Sequence, residues 1–250
     1  MAGQYIEPMP SPRVLDALAA PLRRLPSQCA VCHGWARERL CHTCVERFAA
    51  PRPRCARCAI GVPEGVATCG ACLRQPPPFE RTVAALDYDH PWDELVRRFK
   101  FDAALDLANA LSQRLLEAVR RSDVGRPDWL LPVPLATERL RERGYNQAWE
   151  LARRIGQEMG CASDPRLLLR MMDTPHQLAL PPERRAANVR GVFALEPQRR
   201  HELPGRSVAI VDDVMTTGAT AAEIARTLLQ AGARSVQVWV LARTPRPEDA

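Results

Sequence analysis

Short runs of β-branched and other apolar residues alternate along the chain with segments of helical spacing. Runs typical of buried strands cover residues 82–88, 129–134, 208–211 and 235–243. Helical patterns occupy residues 91–101, 103–121, 146–159 and 221–231. Because strands that alternate with helices build parallel sheets, the pattern predicts an α/β fold over residues 79–245.

The polar residues after the third run form the clearest candidate site. Asp212 and Asp213 follow the run directly, and a loop and a helix come next. In open α/β sheets, ligands bind beyond the carboxyl ends of the strands. The loop offers backbone N–H groups, hydroxyls and a helix N-terminus, which suit a dianionic phosphate, and Gly218 permits a positive φ. The loop residues concerned are Thr216, Thr217, Gly218, Ala219 and Thr220.

Two carboxylates beside a phosphate loop would repel phosphate alone. Asp212 and Asp213 are therefore expected to accept hydrogen bonds from sugar hydroxyls, or to meet the phosphate through a metal ion. The stretch predicts a site for a phosphorylated ribose. An ordinary strand–turn–helix with an acidic N-cap region is the alternative.

A basic segment follows the second run. Arg139, Arg141 and Arg143 precede Gly144, and a loop at this position would place guanidinium groups beside the same crevice. Arg139 and Arg143 are the candidates for binding a pyrophosphate group, while a solvated helix face is the alternative. Lys100 is the only lysine in a chain with 34 arginines, and it could equally reach a phosphate or lie in solvent.

Composition and the N-terminal sequence indicate a soluble protein and the compartment in which it is expected. The formal charge of +6 permits a polyanionic partner without requiring one. No apolar run approaches the roughly 20 residues that span a bilayer, and the N-terminus lacks the pattern of a secretory signal. We therefore expect a cytoplasmic protein.

Eight of the nine cysteines form four C-x-x-C pairs, a spacing typical of zinc ribbons. In the cytoplasm reduced thiols bind metal more often than they form disulfides, and iron–sulfur clusters fit the repeated knuckles less well. The pairs predict a double zinc ribbon over residues 26–75 with about two structural zinc ions. Sequential and cross-braced pairing both remain open. The predicted ligands are Cys29, Cys32, Cys41, Cys44, Cys55, Cys58, Cys69 and Cys72.

Arginines accompany Trp35 and Phe48 in the ribbon segment. Arginine with aromatic residues is the combination that single-stranded nucleic-acid platforms use, so single-stranded DNA is a possible partner. A purely structural ribbon in an arginine-rich protein is the alternative. The stiff segment QPPPF at residues 75–79 predicts a domain boundary.

Residues 208–220 read VAIVDDVMTTGAT, which resembles the phosphoribosyl pyrophosphate (PRPP) signature of type I phosphoribosyltransferases. The resemblance implies that Asp212 and Asp213 hold the ribose 2′- and 3′-hydroxyls as the catalytic acids. It also implies that residues 216–220 hold the 5′-phosphate, and that Mg²⁺ accompanies PRPP.

A narrower resemblance covers residues 26–243. PVPLATERLRERGYNQAWELA at 132–152, LLLRMMDTPHQLALPPERRAANVRGVF at 167–193 and the four cysteine pairs resemble the ComF family of competence-associated proteins. Ala136 departs from that family's pattern, in which a polar residue is usual. The resemblance implies a role in DNA uptake on the cytoplasmic side, with the DNA-uptake machinery as a partner. It leaves open whether the protein transfers a phosphoribosyl group or is a non-catalytic module that senses PRPP or a nucleotide and binds single-stranded DNA.

Two further segments lie outside the strands and helices predicted above. Residues 14–25 have a helical spacing broken by Pro21, and residues 172–190 are polar and arginine-rich. The first predicts a short docking helix. The second predicts a lid that closes over substrate, or else a long surface loop.

Overall fold

The computed structural model describes residues 26–171 and 191–245. The chain divides into two compact units, Met1–Glu46 and Arg47–Ala250. The docking helix expected at 14–25 and the lid expected at 172–190 lie outside the described residues. Residues 75–79, where the sequence predicts a boundary, lie inside the second unit. The second half of the cysteine-rich segment therefore belongs to the same unit as the sheet.

The described part of the first unit is a small hairpin and the start of a helix. Strand β1 (Ser27–Gln28) pairs antiparallel with β2 (Trp35–Ala36). Helix α1 (His42–Phe48) follows. The hairpin joins the first C-x-x-C pair to the second, which begins at Cys41.

The second unit is built on a five-stranded parallel sheet with strand order β3-β9-β8-β4-β5. Its strands are β3 (Arg81–Asp87), β4 (Trp129–Pro132), β5 (Ala162–Ser163), β8 (Ser207–Met215) and β9 (Ser235–Arg243). A separate antiparallel pair consists of β6 (Leu168–Arg170) and β7 (Phe193–Leu195). The predicted parallel α/β fold is confirmed.

Helices precede or connect these strands, and the four longest lie close to where the hydrophobic pattern predicts. They are α2 (Gly70–Arg74), α3 (Trp92–Phe101), α4 (Ala108–Arg121), α5 (Thr137–Arg143), α6 (Gln147–Met159) and α7 (Ala219–Gln230). Two 3₁₀ helices, Leu105–Leu107 and Pro197–Glu202, complete the described elements. Among the described residues, no helix has the length and apolar character needed to cross a membrane.

The two central strands explain why the hydrophobic runs are nearly continuous. Strands β8 and β9 lie side by side in the middle of the sheet, and Val211 and Trp239 are paired and fully buried. Helices α4 and α6 pack against the sheet, as does α7. Because a parallel sheet is covered on both faces, its inner strands carry apolar residues at successive positions.

Strand β8 extends further than its neighbour β4. The ladder between them ends where Pro132 meets Val211, whereas the ladder between β8 and β9 continues until Met215 meets Arg243. The sequence predicts that the strand ends before Asp212. The structure instead keeps both acids within β8, because β9 supplies hydrogen-bonding partners on that side. The acids lie on the part of β8 that projects past β4.

Candidate functional site

The acid pair lies at the carboxyl edge of the sheet, within β8. Asp213 is only 4% exposed, while Asp212 is partly exposed and its Oδ1 accepts a hydrogen bond from the backbone N–H of Asp213 at 2.9 Å. Asp213 Oδ2 is buried and accepts no hydrogen bond among the described residues. A buried carboxylate oxygen with spare acceptor capacity is suited to a hydroxyl or to a hard cation such as Mg²⁺.

Lys100, which on sequence alone could reach a phosphate or lie in solvent, belongs to this site. It lies near the end of α3, and its Nζ is 3.3 Å from Asp213 Oδ2. The two side chains are 18% and 6% exposed, so the ion pair is shielded from water. The sequence carried one signal for it: Lys100 is the single lysine where every other strongly basic residue is arginine.

The loop after β8 has the geometry expected of an anion-binding turn. Thr216 and Thr217 are exposed, and Gly218 has φ +82°. Helix α7 begins at Ala219, whose N–H donates to Thr217 Oγ1 at 3.3 Å. A Cβ at position 218 would lie 2.5 Å from Met215 Cε, so both the backbone angle and the space favour glycine. The first N–H groups of α7 have no partner within the helix and point towards this loop.

Residues 139–143 are helical, which corrects the expectation of a basic loop. Helix α5 spans Thr137–Arg143 and ends at Gly144 with φ +75°. Its residues are mostly good helix formers, and the left-handed glycine terminates it. Arg139 and Arg143 are both partly buried. The two arginines thus lie on a short helix after β4.

Arg143 is close to the acid pair. Its guanidinium stacks on the ring of Phe101, 4.6 Å from the ring centre. Burial lowers the pKa of Arg143, whereas the negative charge of Asp213 acts in the opposite direction. Tyr145 Oη donates a hydrogen bond to the carbonyl of Phe99 and joins this segment to α3. Arg143 and Lys100 therefore both interact electrostatically with Asp213.

The eight paired cysteines form two groups of four, with all ligand atoms in each group within 4.8 Å of one another. Either group could hold a metal ion, and four convergent sulfurs suit tetrahedral zinc. The structure thereby selects the sequential grouping over the cross-braced one. The first cluster contains Cys29, Cys32, Cys41 and Cys44, and the second contains Cys55, Cys58, Cys69 and Cys72.

The two clusters share one local construction. Cys41 N–H donates to Cys29 Sγ at 3.3 Å, and Cys69 N–H donates to Cys55 Sγ at the same distance. The first knuckle of each cluster also turns at a non-glycine residue of positive φ, His33 in the first cluster and Ala59 in the second. His33 and Ala59 each follow the second cysteine of the knuckle directly, so the ribbon is an internal repeat.

These hydrogen bonds prepare the sulfurs for metal binding. Burial opposes ionisation of Cys29, but N–H groups of Cys41, Cys32 and Val31 outweigh it and lower the pKa to about 6. At Cys55 burial is likewise outweighed by backbone N–H groups, and the pKa falls to about 7. A zinc ligand must be a thiolate, so each cluster contains one cysteine that is readily deprotonated near neutral pH.

Comparison with known proteins decides the family. Residues 103–250 match the model of the phosphoribosyl transferase domain. The "DNA utilization protein YhgH" of Salmonella typhimurium (strain LT2) is 37% identical over 82% of this chain and 90% of its own length. "Competence protein F" of Haemophilus influenzae is 33% identical over 86% of this chain and 96% of its own length. "Competence protein ComFC" of Bacillus subtilis is 27% identical over 83% of this chain and 85% of its own length.

This chain belongs to the ComF family. It carries the phosphoribosyl transferase domain in its sheet-containing unit. The family and the fold class predicted from the sequence are both confirmed. The roles of Asp212, Asp213, Arg139, Arg143 and residues 216–220 remain predictions, as does nucleic-acid binding by the ribbon, in which Trp35 is 75% exposed.

The carboxyl of Asp212 in this ComF-family site has a strongly raised pKa. Desolvation, together with the charge of Asp213, raises the pKa of Asp212 well above its ordinary value, and Lys100 opposes the shift. A carboxyl that is protonated more readily in the folded protein stabilises the fold below its unfolded pKa of about 3.9. That stability is lost as the pH rises through the folded pKa.

Asp212→Asn is therefore expected to stabilise the protein at neutral pH, since the amide copies the protonated acid and removes the repulsion from Asp213. Urea unfolding between pH 3 and pH 8 would measure the effect. The gain should be absent below about pH 3.9 and should grow until the folded pKa is passed. A gain of equal size at every pH would contradict this origin.

Proposed function

We propose that this ComF-family protein binds PRPP, or a related ribose phosphate, together with Mg²⁺ at the carboxyl edge of β8. One observation carries the proposal: the acid pair, in which Asp213 is buried, adjoins a turn with a left-handed Gly218 and the N-terminus of α7. The acids that would bind sugar hydroxyls thus lie on the same strand and loop as the N–H groups that would bind a phosphate.

Each group of the ligand has a set of residues with matching chemistry. Asp212 and Asp213 would accept hydrogen bonds from the ribose 2′- and 3′-hydroxyls. Thr216, Thr217, Gly218, Ala219 and Thr220 would hold the 5′-phosphate with N–H groups and hydroxyls. Arg139 and Arg143 would bind the pyrophosphate, and Lys100 adds a third positive charge near Asp213. Mg²⁺, when bound, would neutralise part of the pyrophosphate charge.

The same site supports two outcomes after binding. Transfer of the phosphoribosyl group displaces pyrophosphate at the anomeric carbon without a side-chain nucleophile, so positioning and charge stabilisation would supply the rate. A sensor would bind PRPP and release nothing. We infer an action in DNA uptake on the cytoplasmic side, in contact with the uptake machinery, supported by the relatives named "Competence protein F" and "DNA utilization protein YhgH".

Titration calorimetry with PRPP and Mg²⁺ tests the binding. The wild-type protein is expected to bind, and Asp213→Ala should weaken binding about a hundredfold, because charge-assisted hydrogen bonds to the sugar are lost. Asp212→Ala should act in the same direction. Asp106→Ala, which removes an exposed carboxylate of the 3₁₀ helix Leu105–Leu107, is the matched control and should bind normally. Absence of wild-type binding would refute the proposal.

A pyrophosphate-release assay with a panel of nucleobases then separates the two outcomes. Release that depends on Asp213 and on one base would identify a transferase and its acceptor. Binding without release for any base in the panel would favour the sensor.

A further inference from the structure

Arg243, the last residue of β9, connects two sites that the sequence places far apart. The residue is 6% exposed, and its Nε donates to the carbonyl oxygen of Cys58 at 2.9 Å. Its Nη1 lies at 3.0 Å from the carbonyl oxygen of Met215 and also hydrogen-bonds the carbonyl of Thr216. One buried guanidinium therefore contacts both the second cysteine cluster and the phosphate loop.

The knuckle that contains Cys58 is itself attached to the sheet. Thr82 in β3 donates its N–H to the carbonyl of Ala56 at 3.0 Å and its hydroxyl to the carbonyl of Arg57 at 2.7 Å. Ala59 is fully buried in the same core cluster as Ile210 and Val238. The second cluster is thus part of the structure that supports the site, and a displacement of its knuckle would reach Arg243 directly.

Peptide geometry explains what Arg243 does for the loop. In a trans peptide the C=O of one residue and the N–H of the next point in opposite directions. Because Arg243 holds the carbonyls of Met215 and Thr216, the N–H groups of Thr216 and Thr217 point away from the guanidinium. Arg243 thereby orients two N–H donors before any anion arrives, which is the pre-organisation that anion binding needs.

Metal binding is expected to help keep the Cys58 carbonyl in place. The local core around the second cluster consists of Cys55, Ile60, Cys69 and Cys72, with Cys58 and Val62 packed against it. So few apolar residues cannot hold two knuckles together without an ion, since a metal site of this kind supplies its own folding energy.

We propose that Arg243 is a positioning residue that couples metal occupancy of the second cysteine cluster to the geometry of the phosphate loop. The effect on ligand affinity rests on the function proposed above, whereas the effect on the loop does not. Loss of metal from the second cluster should leave the fold of the sheet intact and should make the loop less ordered.

The test compares Cys58→Ser, Arg243→Met and the double variant in the full chain. Each single variant should weaken binding of PRPP with Mg²⁺ by about tenfold, a common size for coupling between sites. The double variant should be no weaker than the single ones, because both changes break the same connection. Cys161→Ser exchanges a buried cysteine outside both clusters and should bind normally. Fully additive losses would overturn the proposal.

Hydrogen–deuterium exchange gives a readout that needs no ligand. The peptide that contains Thr216 and Thr217 should exchange faster in Cys58→Ser and in Arg243→Met, while peptides from β4 should not change. Cys32→Ser removes a ligand of the first cluster and should affect the loop less than Cys58→Ser. Equal effects of the two serine variants, or unchanged exchange in Arg243→Met, would refute the coupling even if PRPP binds. Failure of the wild type to bind PRPP would instead refute the proposed function alone.

Discussion

Removal of zinc is expected to unfold the cysteine clusters while the parallel sheet persists. Between residues 26 and 46 the buried apolar residues are Cys29, Ala30, Leu40 and Cys44, and two of these belong to the first cluster. That core is too small to offset the entropy of ordering the segment. Structural zinc contributes about 10–16 kcal/mol in comparable small domains, so its loss should be decisive there. The sheet has its own core, which includes Val211, Leu131 and Trp239.

Metal analysis and limited proteolysis would measure this. Protein purified without chelator should contain about two zinc ions per chain, because the structure forms two groups of four cysteines. After chelation, cleavage should begin within residues 26–75 and the 79–245 segment should survive longer. Cys161→Ser should keep its full metal content, since Cys161 lies outside both clusters. A zinc content near zero, or clusters that resist protease after chelation, would show that the metal is not structural.

Lys100→Met is expected to destabilise the folded protein by about 3 kcal/mol, the usual cost of removing one partner of a shielded ion pair. The side chain of Asp213 is 6% exposed, so its charge would remain in a poorly solvated position beside Asp212. Arg143 would compensate only in part, because its guanidinium is itself stacked on Phe101. Chemical denaturation at pH 7 would give the change in the free energy of unfolding.

A second-site rescue and a matched control variant test whether the unpaired charge of Asp213 causes the loss of stability. Asp213→Asn removes the stranded charge, so the Lys100→Met/Asp213→Asn double variant should recover most of the lost stability. Arg97→Met is the matched control on the same helix: Arg97 is 54% exposed and its distances to Glu94 and Asp102 are 3.7 and 3.5 Å. Such an exposed pair contributes about 0–1 kcal/mol. Similar losses for Lys100→Met and Arg97→Met would contradict a special role for the buried pair.

The candidate site also illustrates the limits of local patterns. The motif at residues 208–220 indicated the acids, the loop and the positive φ of Gly218, because these features follow from neighbours along the chain. The position of Arg139–Arg143 after a strand predicts a binding loop, yet the segment is helical, because TERLRER followed by glycine is typical of a short helix.

The parallel α/β fold, the family and the candidate residues for metal and phosphate can all be inferred from the sequence. Those properties depend on periodicity and on short spacings, which are local. Three features emerge only from the folded structure: the Lys100–Asp213 ion pair, the sequential grouping of the cysteines, and the contacts by which Arg243 joins Cys58 to Thr216. Arg243 and Cys58 are 185 positions apart, and no local rule relates them. Their contact exists because β9 ends beside both β8 and the knuckle attached to β3, which is a consequence of the strand order.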